Sequence, residues 1–189
     1  KSRFFYFIFR LWLIQRVNND YNDQFCFPVI FAFAKEEIDF ISLINPNDDR
    51  FLNPENMRKA ISDYCIETNQ KAPENIGQFG KLIFHSLAFL YAKTLKELSE
   101  LSGLTIRSLN IIGGGSQNEY LNQLTSDAAE IKVIAGPVEA TVLGNVTVQA
   151  YAGGEIKSIE EGREIIKNSS GLKYYRPERD LKDLYKKFL

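Results

Sequence analysis

Histidine, methionine and tryptophan occur once each in this chain, and cysteine only twice. His85 has no second imidazole to join it, and Cys26 and Cys65 stand far apart, so no cysteine–histidine zinc spacing exists. The two thiols are expected to be free, in a cytoplasmic protein. An excess of one charge is missing too: 23 basic side chains face 24 acidic ones. That balance gives no electrostatic footprint for nucleic acid and no basic face for a membrane. No apolar run reaches the roughly 20 residues that a bilayer crossing needs. Arg10 interrupts the longest one, between Phe4–Phe9 and Leu11–Ile14. That run lacks the small-residue cleavage site of a signal peptide. Neither a G-x-G-x-x-G fingerprint nor a G-x-x-x-x-G-K-[ST] phosphate loop occurs, and there is no internal repeat.

Apolar residues make up 44% of the chain, enough for one ordinary domain with a sizeable core. A chain that opens inside an aromatic run reads as a fragment, and Phe4 to Phe9 would be its self-association surface. The first apolar element, near residues 4–22, is expected to be helical from Phe9 onward and carries Gln15. A second helix is expected from Ala32 to Leu43, and residues 45–49 form a loop rich in turn formers. Asn53 as cap and Pro54 at the first helical position open a helix to about Asn69. The longest helix runs from about Ile76 to Ser102 at a 3.6-residue apolar period, closed by Gly103. His85 lies within it, where a lone histidine is more often structural than catalytic.

A strand at 108–113 then ends in Gly113-Gly114-Gly115, followed by a helix at 117–129. Ser116 and Glu119 have the spacing of a capping box. Three glycines leave bare backbone at the strand end, where open α/β sheets bind ligands. A plain tight turn and a nucleotide or phosphate contact both fit that pattern. Lys132–Ala135 is a second strand. Pro137 is expected to start the next helix, which runs to about Ala152 before Gly153-Gly154. Ala140 and Gly144 share one of its faces, as tight packing would require. A helix at about 158–168, an aromatic tail at Tyr174-Tyr175-Arg176-Pro177 and a solvated helix at 180–189 complete the pattern. The order is that of a helix-rich α/β domain with a parallel sheet. Two strands are too few for such a sheet, so further strands are expected from upstream sequence, the aromatic N-terminus or another chain.

Several motifs stand in register with a known family. Gly113-Gly114-Gly115-Ser116-Gln117-Asn118, Leu121–Thr125, Ala135–Thr141 and Leu143-Gly144-Asn145 resemble the C-terminal lobe of the FGGY sugar kinases, within the actin-like ATPase superfamily. Leu11-Trp12-Leu13-Ile14-Gln15, the loop Pro46 to Leu52, and Tyr64-Cys65 with Glu67-Thr68 fit as well, most closely the rhamnulose-phosphorylating branch. The resemblance covers about Arg3 to Pro177. It implies a single domain over residues 1–189: an incomplete, ribonuclease-H-like, C-terminal nucleotide-binding lobe. It further implies ATP and magnesium in a cleft, the metal held mainly by parts absent from this chain, and a partner lobe that binds the sugar. The reaction implied is transfer of the ATP γ-phosphoryl to the 1-hydroxyl of L-rhamnulose. By position, Gly114 and Gln15 match nucleotide contacts, with Gly113, Gly115, Ser116 and Asn118 as neighbours. Ala140 and Gly144 match a small-residue helix that packs against the other lobe.

The sequence also departs from the family. The catalytic aspartate segment, the glycine–threonine phosphate turn and the sugar lobe are absent. Tyr6-Phe7-Ile8-Phe9-Arg10 stands where the family has Lys-Asn-Ile-Met-Gly, and Phe7 cannot replace an asparagine that faces sugar. Two readings follow: a nucleotide lobe inactive by itself, or a kinase remnant serving as an interaction module through Phe4–Phe9.

Overall fold

The computed structural model describes residues 11–189, and the aromatic run Phe4–Phe9 lies outside them. Eight helices and three strands are present among the described residues. They are α1 (Trp12–Asn19), α2 (Phe27–Glu36), α3 (Met57–Glu67), α4 (Ile76–Ser102), β1 (Ser108–Ile111), α5 (Glu119–Ala129), β2 (Lys132–Ala135), α6 (Ala140–Ala152), α7 (Ile159–Ser169), β3 (Lys173–Tyr175) and α8 (Lys182–Phe188). The chain divides into two compact units, residues 1–90 with 184–189, and residues 91–183.

The first unit is helical. Leu13, Ile14 and Val17 of α1, Ile30 and Ala34 of α2, and Ile61 and Cys65 of α3 are fully buried. The first half of α4 buries Phe79, Leu82, Ile83, Phe84 and Leu87, a pattern apolar nearly all round, as befits a central helix. Helix α2 lies five residues ahead of the expected start at Ala32 and stops at Glu36. Pro28 takes its first turn, where a missing N–H costs nothing. Residues expected to continue the helix to Leu43 lie outside any helix or strand instead, with Phe40, Leu43 and Ile44 buried. Side chains from elsewhere hold this segment. Leu43 N donates to Gln70 Oε1 (2.7 Å) and Gln70 Nε2 donates to Leu43 O (2.8 Å). Ile44 N donates to Ser86 Oγ (3.0 Å). Helix α3 begins four residues after the expected Asn53 cap: Asn56 is its cap and accepts from Lys59 N at 2.7 Å. Both cysteines are free, Cys65 buried and Cys26 exposed. The C-terminal helix is not merely solvated, since Tyr185 and Phe188 stack on Phe89 with centroids 5.5 and 5.8 Å apart.

In the second unit, β1 pairs parallel to β2, from Ser108 opposite Lys132 to Ile111 opposite Ala135. Strand β3 pairs antiparallel to β2, with Val133 opposite Tyr175. A third strand, which the pattern did not single out, is thus supplied by the aromatic tail. Helix α5 packs on the sheet, and Leu121 and Leu124 of the helix and Val133 of β2 are buried. Glu139 flanks α6, and Pro137 sits outside it in a cis Gly136–Pro137 corner rather than at its first position. Helices α6 and α7 meet at Gly162: a Cβ there would lie 2.3 Å from Thr147 Cγ2. Among the described residues, nothing lies within 4 Å of a Cβ built on Gly144. Val142 and Val146 on the same helix are each 55% exposed.

Candidate nucleotide-binding corner

The strand-to-helix corner is built by backbone bonds that the glycines permit. Gly113 turns at φ 74°, ψ −162°, a conformation open to glycine and strained for other residues. Its N–H donates to Pro137 O (3.1 Å), and Gly136 N donates to Ile111 O (2.8 Å). The end of β1 is thereby tied to the Gly136–Pro137 corner that follows β2. Gly114–Gln117 forms a single 3₁₀ turn, and Ser116 N donates back to Gly113 O at 3.0 Å. Beyond Gly113 and Gly114 there is open space, with no atom within 4 Å of a Cβ built on either. Gly114 is exposed. The corner is an open shelf of bare backbone at the C-terminal end of β1.

The side chains around it are engaged inward. Ser116 does not cap α5; its Oγ donates to Gly113 O (2.7 Å) and closes the turn on itself. Asn118 is the cap, with Oδ1 accepting from Leu121 N at 3.0 Å. The expected Ser116–Glu119 capping box is thus replaced by an asparagine cap two residues later. The Glu119 carboxylate pairs instead with Lys173 on β3. Ser116 and Asn118 are 5% and 4% exposed, so both support the shelf from beneath. Asn122, which the pattern did not single out, reaches the turn too: its Nδ2 donates to Ser116 O at 3.0 Å. The readable signal was a second asparagine four residues after the cap, one helical turn away. Burial pushes the neighbouring Tyr120 phenol up to about 12, with Arg179 pulling it the other way.

Gly113, Gly114, Gly115, Ser116 and Asn118 therefore share one turn in the second unit. Gln15 stands on α1 in the first unit and is exposed. His85 is 8% exposed within α4, its ring edge-on to Phe89 at 6.1 Å. Among the described residues no group of three or more His, Cys, Asp and Glu side chains is gathered to hold a metal ion. None of their helices is long and apolar enough to cross a membrane.

Residues 8–153 match the model of the FGGY family of carbohydrate kinases, C-terminal domain. A rhamnulokinase of Ligilactobacillus salivarius is 44% identical over 177 residues, 94% of this chain and 36% of that protein. A rhamnulokinase of Lactiplantibacillus plantarum is 42% identical, over 99% of this chain and 39% of its own length. One from Bacteroides thetaiotaomicron is 44% identical over 89% and 34%. The chain spans little more than a third of the length of these curated relatives.

Proposed function

Because the chain belongs to the FGGY family of carbohydrate kinases, we propose that it holds the adenine nucleotide of a sugar kinase, with ATP as donor and L-rhamnulose as acceptor. The relatives' shared name, rhamnulokinase, supports the choice of sugar. The observation that carries the reading is the shelf: Gly113 and Gly114 leave open space where a flat nucleoside would rest against backbone. Gly115 follows in the same turn, and Ser116 and Asn118 fix the shape of the shelf through the bonds they make beneath it. Gln15 is the second proposed nucleotide contact.

Phosphoryl transfer rests mainly on alignment and charge stabilisation. The proposed share of this chain is alignment: it fixes the base and ribose so that the γ-phosphoryl points at the acceptor. No catalytic base is assigned to it. The ATP-bound magnesium is assigned to other parts of the kinase. We read residues 1–189 as one nucleotide-binding lobe, with a sugar-holding lobe corresponding to the length of the relatives that this chain does not match. The open Ala140–Gly144 face of α6 would receive a helix from that remainder. A cytoplasmic location is part of the proposal. The alternative of an interaction module rests on Phe4–Phe9, and no observation on the described residues favours it.

Calorimetric titration with ADP tests the reading. Gly114→Arg is expected to weaken ADP binding at least tenfold while leaving the unfolding midpoint unchanged, because its side chain enters open space. Equal affinity in the variant and the unaltered chain would remove the corner from the nucleotide site.

A further inference from the structure

We infer that Asn122 is a positioning residue for the nucleotide shelf, acting through the carbonyl of Ser116; this rests on the proposed nucleotide role of the corner. Three bonds shape the 3₁₀ turn from within: Ser116 N and Ser116 Oγ to Gly113 O, and Asn118 N to Gly115 O at 3.2 Å. These close the turn on itself and leave its tilt against α5 undetermined. The bond from Asn122 Nδ2 to Ser116 O joins the middle of the turn to the body of the helix. It comes from a side chain 1% exposed, set one helical turn beyond the cap.

The rest of the Asn122 carboxamide shows what the residue is for. Its Oδ1 is buried and accepts no hydrogen bond among the described residues. A buried acceptor without a donor costs stability, and an apolar side chain of similar volume would avoid that cost. What an apolar residue lacks is the one donor that Ser116 O meets. A carbonyl oxygen only accepts, so the amide nitrogen must be the atom facing it. Asn118 carries a matching burden: its Oδ1 caps α5 while its Nδ2 is buried without a partner. The two asparagines thus set the shelf against α5 at two points, the cap at Leu121 N and the strut at Ser116 O. Gly113 and Gly114 provide the bare surface, and Asn122 sets the height at which it lies.

The test pairs Asn122→Asp with two controls on the full chain. Aspartate keeps the shape of the side chain and replaces the donor with an oxygen that repels Ser116 O. Hydrogen exchange of the Ser116 and Asn118 amides is expected to accelerate at least tenfold, with little change at helix-interior amides of α4. ADP affinity is expected to fall at least tenfold as well. Leu124→Ala, on the same helix and buried at 1%, supplies the contrast. It is expected to lower the thermal midpoint as well, yet to leave ADP affinity of the folded protein unchanged. A merely structural asparagine would behave like Leu124→Ala, lowering the midpoint with affinity unchanged. Gly114→Arg separates the two claims. If it abolishes ADP binding while Asn122→Asp changes neither exchange nor affinity, the strut is overturned and the nucleotide corner stands. If the unaltered chain binds no ADP, or Gly114→Arg binds it undiminished, the nucleotide reading falls and the strut's role falls with it.

Discussion

Adjacent glycines at the end of β1 are bare for different reasons, and substitution separates them. Gly113 needs its positive φ of 74°, so Gly113→Ala is expected to cost about 1–3 kcal/mol in urea unfolding despite the free space around it. Gly114 has no positive φ and nothing near it, so Gly114→Ala should shift stability by less than about 0.5 kcal/mol. The two cysteines divide in the same way. Burial pushes the Cys65 thiol from 9.0 up to about 11, while Cys26 is exposed. A thiol reagent at pH 8 should therefore titrate one cysteine in the folded protein and two in denaturant. The folded pKa of Cys65 lies above its unfolded value, so the folded state holds that proton more tightly. Its contribution is complete below about pH 9 and is lost as pH rises through 9 toward 11. Denaturant midpoints should fall over that window, and Cys65→Val should flatten the fall.

Among the elements, α6 and α7 depend on the absence of one carbon. Gly162→Ala would drive a methyl into Thr147, and about 1–3 kcal/mol of destabilisation is expected in chemical unfolding. Ser158 caps α7 by accepting from Glu161 N at 3.1 Å, so Ser158→Ala should cost about 1 kcal/mol. The elements that could be read from the sequence are those whose signals are local. The 3.6-residue period placed α4 at Ile76–Ser102, and a short apolar run placed β2 at Lys132–Ala135. Phe40, Leu43 and Ile44 fit a helix as well as a strand, and distant Gln70 and Ser86 hold the backbone of Leu43 and Ile44 outside either. Strand β3 is three residues long and mostly exposed, so its pairing with β2 leaves almost no pattern. At the corner the three glycines were legible, but the cap was not. Ser116 and Asn118 are both good caps by type, and the 3₁₀ turn that moves the helix start two residues on follows from the conformation at Gly113. Asn122 escaped because its bond reaches back to a carbonyl; the asparagine spacing of one helical turn marks the residue but not that partner.

For the molecule as a whole, partial coverage of its relatives sets the expectation for activity. The matched region is 34–39% of the three rhamnulokinases compared, and the resemblance assigns the catalytic aspartate and sugar contacts elsewhere. The chain alone is expected to bind ADP without releasing it from ATP in response to L-rhamnulose. A coupled assay that showed sugar-dependent turnover would contradict this. Strand β1 adds a practical consequence. It pairs only with β2 among the described residues, and its four residues, Ser108 to Ile111, carry no charge to repel a newcomer. A strand edge with no partner among the described residues is a template for further strands. Concentrated stocks of this chain should turn cloudy on storage, and placing a lysine at Asn110 should keep them clear.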